Sequence, residues 1–236
     1  MISTQDPWRV LGEVDASDGC TAVEAAVHTT IAIVAYPGMS TCAEFRPLLQ
    51  VPGVRVVWAC SPTEMEGADW VILPGSESTV TDLAWMRRQG IDAAITAHAQ
   101  AGRQVVGIVG GLQMLGEALI DVQAVEGNVP GLGLLPIVTL LEPPQTVRRM
   151  PVKVPALRGA WASLRGVEVQ IDAVYQGQTR MRSDMQAAGS AQATEWLQGM
   201  VWQSGCGLVL GTYWHGLLAN AVALEALWGA QTRLLE

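Results

Sequence analysis

Residues 105–116 of this 236-residue chain read Val-Val-Gly-Ile-Val-Gly-Gly-Leu-Gln-Met-Leu-Gly. The apolar run ends in two glycines and continues into an apolar-periodic segment, which predicts a strand, a sharp turn and a helix. Enzymes use this kind of corner to hold a nucleophile on a strained backbone near the amide N–H groups of a helix N-terminus. Here the nucleophile position is occupied by Val109, whose side chain can neither attack a carbonyl nor transfer a proton. The stretch is therefore either an active-site corner without its reactive group or an ordinary buried strand, and the rest of the chain must distinguish the two.

The composition indicates a folded, acidic protein. Half of the residues are apolar and 15% are charged, which is enough apolar material for one large core. The formal net charge of −8 argues against a nucleic-acid partner, because phosphate backbones are bound by positive charge. The four cysteines are widely separated and lack metal-ligand spacing, so we expect free thiols, a cytoplasmic location and no metal.

Two further classes of protein are disfavoured by the sequence. No phosphate-binding loop of the GxxxxGK[ST] type is present, and we predict no bound cofactor. Residues 196–224 contain no charged side chain, which resembles a membrane span. Glutamines, His215 and several glycines interrupt this segment, so we interpret it as core and predict no membrane partner.

The order of the predicted elements indicates an α/β fold with a mostly parallel central sheet flanked by helices. Continuous apolar runs predict buried strands at 31–36, 54–59, 70–73, 105–109 and 208–213. Helices are predicted from Ser78 to Gly90 and at 91–100, 112–119 and 220–235. Shorter strands at 132–141, 152–154, 167–175 and 195–203 predict a mixed or antiparallel extension. Residues 1–30 are interpreted as an arm or linker, and 31–236 as a single domain.

Three glycine-rich turns follow predicted buried strands, at 74–76, 107–111 and 213–216. The carboxyl edge of a parallel sheet is where such folds bind ligands, so these turns are expected to meet there. A lone histidine is more often structural, but the place of His215 after a strand and before a glycine favours a general base. His98 and His28 are expected at the surface, and Asp82 is interpreted as a favourable charge at a helix start.

Several ordered motifs resemble the class I glutamine amidotransferase domain of cobyric acid synthases. Residues 107–116 resemble the elbow GICGGxQMLG of that family, and residues 68–86 resemble its segment aDlVILPGSKnTiaDLaWL. Residues 125–136 and 211–217 match two further stretches, and residues 31–48 resemble the opening of the domain. The resemblance covers roughly residues 30–230 and implies a flavodoxin-like amidotransferase fold.

The resemblance also implies a chemistry. In the family a cysteine attacks the glutamine amide, a histidine relays the proton, and ammonia passes to an ATP-activated corrinoid carboxylate on another domain. His215 occupies the histidine position, and backbone amides at Gly75, Ser76 and Gly110 would hold the oxyanion. Leu217 stands where other class I amidotransferases carry a glutamate. The implied partners are a separate ATP-binding synthase domain or another corrinoid-pathway protein, with a glutamine-like small molecule as ligand.

The departures from the family pattern concern the catalytic residues. Val109 stands where the nucleophilic cysteine is expected, and residues 171–179 retain little of the motif GYEIHxGxT, with Tyr175 in the histidine place. The first hypothesis is therefore a pseudo-amidotransferase with a binding or scaffold role linked to cobalamin biosynthesis. The second is a diverged amidase or transferase that uses His215. A third is a working amidotransferase domain in which the cysteine was deliberately replaced by Val109.

Overall fold

The structure is a computed structural model that describes residues 28–40, 42–123, 125, 127–141, 146–175, 178–181, 193–196 and 200–229. The predicted arm falls on residues that are not described, apart from positions 28–30. Thr29 and Thr30 already belong to the first strand, and the end of the predicted last helix lies outside the described residues. The division into arm and domain stays a prediction.

The strands, in chain order, are β1 Thr29–Val34, β2 Val54–Ala59, β3 Trp70–Leu73, β4 Gln104–Ile108, β5 Ala118–Asp121, β6 Val129–Pro130, β7 Ile137–Leu141, β8 Thr146–Lys153, β9 Glu168–Tyr175, β10 Gln178–Met181, β11 Ala193–Trp196, β12 Val201–Ser204, β13 Val209–Thr212 and β14 Trp214–His215. The α-helices are α1 Thr79–Gln89, α2 Ile91–Gln100, α3 Gly110–Leu115 and α4 Ala221–Trp228. Short 3-10 helices span Cys42–Gln50, Pro62–Met65, Gly159–Leu164 and Leu217–Ala219.

The central sheet has seven strands in the order β11-β12-β13-β4-β3-β1-β2. The five strands from β13 to β2 are mutually parallel, and their order corresponds to the 2-1-3-4-5 arrangement of flavodoxin-like folds. All four residues of β3 and the last five of β1 are buried, as expected of strands covered on both faces. The predicted α/β fold class is confirmed.

The predicted mixed extension is also present. β12 and β11 continue the central sheet in antiparallel orientation beyond β13. Two smaller sheets follow, with the orders β10-β7-β5-β6 and β14-β9-β8. The short strand β14 carries His215, so the antiparallel pairing of β14 with β9 positions this histidine.

One predicted helix is wrong in its second half. The chain was expected to be helical over 112–119, but α3 ends at Leu115 and residues 118–121 form β5, which pairs in parallel with β7. Gly116 lies against the β7 backbone, since a Cβ there would be 2.8 Å from the Ile137 carbonyl oxygen. Gly116 caps α3 and is the residue that marks this end in the sequence, and the apolar residues after it pair with β7 instead of continuing the helix.

Other predicted boundaries shift because turns occupy parts of the apolar runs. The strand expected at 132–141 is confined to β7, and the one expected at 195–203 is two antiparallel strands, β11 and β12. The predicted break between the first two helices is present at Gly90, which adopts a left-handed φ of +73°. Helix α4 covers the core through an edge-on contact of Trp228 with Trp70, whose ring centroids are 5.4 Å apart.

His98 is not the surface residue that the sequence suggested. It is 8% exposed on α2, and its Nε2 lies 3.1 Å from the backbone oxygen of Gln104 on β4. Burial lowers the pKa of His98, and the contact with the Gln104 carbonyl opposes that effect in part. His28 is exposed, as expected. Among the described residues, no helix is both long enough and apolar enough to span a membrane.

Candidate functional site

The corner between β4 and α3 has the geometry of a nucleophile elbow. Val109 adopts φ +48° and ψ −101°, and it is the only non-glycine residue with positive φ in the described part of the chain. A β-branched residue in this region is strained by about 1–3 kcal/mol. Its amide donates a hydrogen bond to the Thr212 carbonyl on β13 (2.7 Å), which fixes the elbow to the neighbouring strand.

Glycines allow α3 to pack tightly against the sheet. A Cβ at Gly111 would lie 2.0 Å from the Leu73 carbonyl oxygen, and a Cβ at Gly107 would lie 2.6 Å from the backbone of Gly111. Neither position accommodates a larger residue without moving the helix. The elbow is therefore a close-packed backbone structure in which Val109 is itself 3% exposed.

The turn after β3 lies directly against the elbow. A Cβ at Gly110 would be 2.8 Å from the Ser76 amide nitrogen, so these two backbone segments are in contact. No hydrogen bond to the amide of Gly110 or of Ser76 is present among the described residues. Adjacent backbone amides are what the predicted oxyanion hole requires. The structure thus brings together Gly75, Ser76 and Gly110, the three predicted backbone positions.

Asp82 lies in the first turn of α1 and also holds the turn after β3 in place. It is 1% exposed, accepts a hydrogen bond from the Ser76 hydroxyl (2.5 Å) and accepts another from the Gly38 amide (2.9 Å). Asp82 lies in the first turn of α1, as the sequence indicated, and its burial and hydrogen bonds give it a further structural role. The carboxylate connects the loop after β1 to the loop after β3, and both loops border the site.

Tyr36 supports the turn after β3 through a buried hydrogen bond. Its hydroxyl donates to the carbonyl oxygen of Pro74, which immediately precedes Gly75. Burial raises the pKa of Tyr36 well above its ordinary value, and the carboxylates of Asp82 and Glu44 raise the pKa further. The phenol is therefore neutral and serves as a structural donor to the loop.

His215 is held by a buried carboxylate. Its Nδ1 lies 2.9 Å from Glu44 Oε2, and the same oxygen accepts a hydrogen bond from the Gly216 amide at 3.1 Å. A carboxylate oxygen is an acceptor, so Nδ1 carries the proton and Nε2 is left unprotonated in the neutral ring. Nε2 faces the turn after β3, since a Cβ at Gly75 would lie 3.3 Å from it. His215 therefore lies beside the predicted oxyanion turn at Gly75, and its role as a general base stays a prediction.

Glu44 is the site residue that sequence reasoning missed. It lies in the 3-10 helix Cys42–Gln50, 171 residues before His215, and it is 6% exposed. The resemblance implied that no third residue supports the histidine, because Leu217 stands in the usual place. Leu217 is indeed buried at 3% exposure, but Glu44 supplies the carboxylate from a different element. The sequence around Glu44 gives no signal for this contact, because the burial of the carboxylate follows only from the fold.

A cavity of about 330 Å³ adjoins the histidine on the side of Glu44. Its polar lining includes the side chains of Glu44, Arg149, Asp172, His215 and Asn220. Glu44 Oε1 is buried and accepts no hydrogen bond from the described residues. The site therefore combines a histidine–carboxylate pair with a mixed-charge cavity, and its lining is not apolar.

The remaining candidates contribute less to the chemistry. Cys42 lies two residues before Glu44, but burial raises the pKa of its thiol and reduces its thiolate fraction. Cys206 is exposed in the turn before β13, at the opposite end of that strand from His215. Within the described residues, no three acidic, histidine or cysteine side chains are grouped so that they could hold a metal ion. The backbone of Tyr175 ends β9, and its side chain lies outside the described set.

The fold is that of glutamine amidotransferases. A glutamine amidotransferase crystal structure superimposes with a TM-score of 0.58 at 18% identity, covering 85% of this chain and 99% of that chain. The PurLQS structure from Thermotoga maritima gives a TM-score of 0.57 at 16% identity, covering 84% and 95% of the two chains. At these identities the likeness concerns the fold alone.

Residues 30–223 match the CobB/CobQ-like glutamine amidotransferase domain, and the chain belongs to this family. It is 56% identical over 211 residues to the cobyric acid synthase of Paracidovorax citrulli (strain AAC00-1), a match that covers 89% of this chain and 43% of that protein. The cobyric acid synthase of Variovorax paradoxus (strain S110) is 48% identical over 238 residues, covering 100% of this chain and 49% of that protein. The chain thus spans less than half the length of these curated relatives.

Proposed function

We propose that this chain is a cobyric acid synthase-type amidotransferase domain that does not hydrolyse glutamine through a cysteine thioester. The observation that carries the proposal is Val109, which occupies the strained apex of an otherwise complete elbow. Thioester formation needs a thiolate, and an isopropyl group has no atom that can replace it. Val109 is accordingly interpreted as standing in the place of a lost nucleophile, beside oxyanion amides at Ser76 and Gly110.

The proposed role is binding or scaffolding linked to cobalamin biosynthesis, and we place it in the cytoplasm. The partner would be a separate ATP-binding synthase domain or another corrinoid-pathway protein. The support is that curated cobyric acid synthases match this chain over less than half of their length. A glutamine-like small molecule is the proposed ligand, because the packing around the elbow and the turn after β3 is retained.

Purified protein tests this proposal through ammonia release from L-glutamine. The wild-type protein should release no more ammonia than a His215→Ala control, because neither contains a nucleophile at the elbow. Glutamine hydrolysis that His215→Ala abolishes would refute the proposal. The Val109→Cys variant tests the third hypothesis, that the cysteine of a working amidotransferase domain was deliberately replaced. If this single change restores glutamine hydrolysis, the rest of the site is that of a working amidotransferase.

A second candidate function is favoured by the contact between His215 and Glu44. In a diverged amidase or transferase, His215 would act as general base and Glu44 would hold its tautomer. Carboxylates beside His215 are what this alternative requires, and Glu44 and Asp172 both line the adjoining cavity. The discriminating measurement is turnover of small esters and amides by the wild-type protein compared with His215→Gln.

A further inference from the structure

Ser40 and His215 converge on one point above the turn after β3. A Cβ placed on Gly75 would lie 2.4 Å from Ser40 Oγ, 2.8 Å from His215 Cε1 and 3.3 Å from His215 Nε2. The hydroxyl and the imidazole ring therefore flank the same position closely, and only glycine fits between them at residue 75. Ser40 itself is exposed, so its side chain can be reached from solvent.

The backbone holds Ser40 at this place. Its amide donates to the Gly75 carbonyl at 3.0 Å, and the neighbouring Met39 forms an isolated antiparallel bridge with Ser76. Asp82 connects the loops after β1 and β3, because it accepts hydrogen bonds from the Gly38 amide and the Ser76 hydroxyl. The position of the serine relative to the histidine is thus set by two connected loops.

We propose that Ser40, His215 and Glu44 form a serine-hydrolase triad that acts on small carboxylic esters. The proposal rests on the second candidate function above and names its nucleophile. Glu44 binds Nδ1 of His215, Nε2 faces the space beside Ser40 Oγ, and the order carboxylate–imidazole–hydroxyl is that of a catalytic triad. Such triads recur on unrelated folds and are recognised by geometry.

The reaction balances without any additional reagent. Ser40 Oγ attacks the ester carbon while its proton moves to His215 Nε2, and the alcohol leaves with that proton as the carbon–oxygen bond breaks. Water then attacks the acyl-serine, gives a proton to Nε2, and releases the acid as Ser40 recovers its proton. The amides of Ser76 and Gly110 lie on the adjoining turn and elbow and are candidates to hold the oxyanion.

A fluorophosphonate probe tests the proposal on the wild-type protein. The expected result is covalent phosphonylation of Ser40, located by peptide mass spectrometry. His215→Gln should slow the labelling about a hundredfold, because the general base is lost. Intact folded protein that leaves Ser40 unlabelled, or labels it equally fast without His215, would overturn the triad.

Hydrolysis of p-nitrophenyl acetate distinguishes the Ser40 nucleophile from the more general proposal of an amidase or transferase that uses His215. Ser40→Ala should lower the rate about a hundredfold or more, whereas Ser163→Ala should keep it, because Ser163 is exposed and its hydroxyl donates only to the Ala160 carbonyl. Turnover that depends on His215 but survives Ser40→Ala would refute the serine nucleophile and leave a water-based hydrolase. Absence of any turnover dependent on His215 would refute both.

Discussion

Val109 occupies a backbone conformation that suits glycine better than valine, although its side chain is buried. The strain of about 1–3 kcal/mol is stored where an elbow would present a nucleophile to substrate. The conformation is imposed by the surroundings, since the Val109 amide donates to the Thr212 carbonyl and Gly111 packs on Leu73. The backbone at this corner is therefore strained around a residue with no reactive atom.

This strain predicts an inverted order of stability for two substitutions. At an ordinary strand position glycine is less stable than alanine by about 0.5–1 kcal/mol. At position 109 alanine keeps the strain and glycine relieves it, so Val109→Gly should be at least as stable as Val109→Ala. Urea unfolding of the two variants measures the difference.

The matched control for this comparison is Val106, which is 1% exposed within β4 and has no positive φ. There the glycine variant should be less stable than the alanine variant, in the usual order. If both positions show the same order, the strain assigned to Val109 contributes nothing measurable to stability.

Glu44 provides the carboxylate that holds His215, and its sequence position gives no indication of this contact. The elbow and the turn after β3 could be predicted because each follows directly on an apolar run and is marked by glycines. The carboxylate that holds His215 could not be predicted in this way, because 171 residues separate the two and only the docking of a 3-10 helix brings them together. Ser40 escapes sequence reasoning for the same physical reason.

At the scale of elements, strands buried on both faces are the parts of the fold that the sequence defines well. β3 is fully buried and begins and ends where its apolar run predicts, because turn residues bound it. β2 has the predicted bounds but is not the buried strand that was expected, since it lies at the sheet edge and only Ala59 is buried. The segment after α3 was predicted less well, because its apolar residues suit a helix as much as a strand. Whether this segment forms a strand depends on its pairing with β7, and the local order of apolar and polar residues carries no information about that pairing.

The packing of α2 on β4 gives a pH-dependent prediction at the same scale. Burial lowers the pKa of His98 in the folded state, so the unfolded state binds more protons as the pH falls through about 6.5. The stability contributed by the neutral ring is present above that pH and is lost as the pH falls through the folded-state pKa. His98→Gln, which keeps a donor for the Gln104 carbonyl and does not titrate, should show a weaker pH dependence of unfolding.

Urea unfolding at about pH 7.5 and about pH 5 provides the measurement. His28→Gln is the control, because His28 is exposed, and it should retain the wild-type dependence. A wild-type protein and a His98→Gln variant that lose equal stability on acidification would show that protonation of His98 does not limit stability.

At the scale of the whole molecule, sheet topology explains why the site exists at all. β3, β4 and β13 are adjacent and parallel, so the turns at their carboxyl ends lie side by side. The additional sheet β14-β9-β8 then directs His215 back toward the turn after β3. Topology accounts for the convergence of three turns that are remote in sequence, and the loops after β1 contribute Ser40 and Glu44.

The predicted boundary between arm and domain near residue 30 can be tested by shortening the chain. β1 begins at Thr29, and the amides of His28 and Thr29 both bind the Gly53 carbonyl at the start of the sheet. We therefore expect a chain that begins at residue 28 to unfold cooperatively with the melting temperature of the full-length protein. Circular dichroism during heating measures this.

A chain that begins at residue 35 is the matched control, because it lacks β1. This strand lies between β2 and β3 and pairs with both, so its removal interrupts the parallel sheet and exposes apolar residues on both faces. The shorter chain should not fold, since every residue of β1 after Thr29 is buried. If the chain that begins at residue 28 also fails to fold, residues 1–27 belong to the domain, and the proposed boundary near residue 30 is wrong.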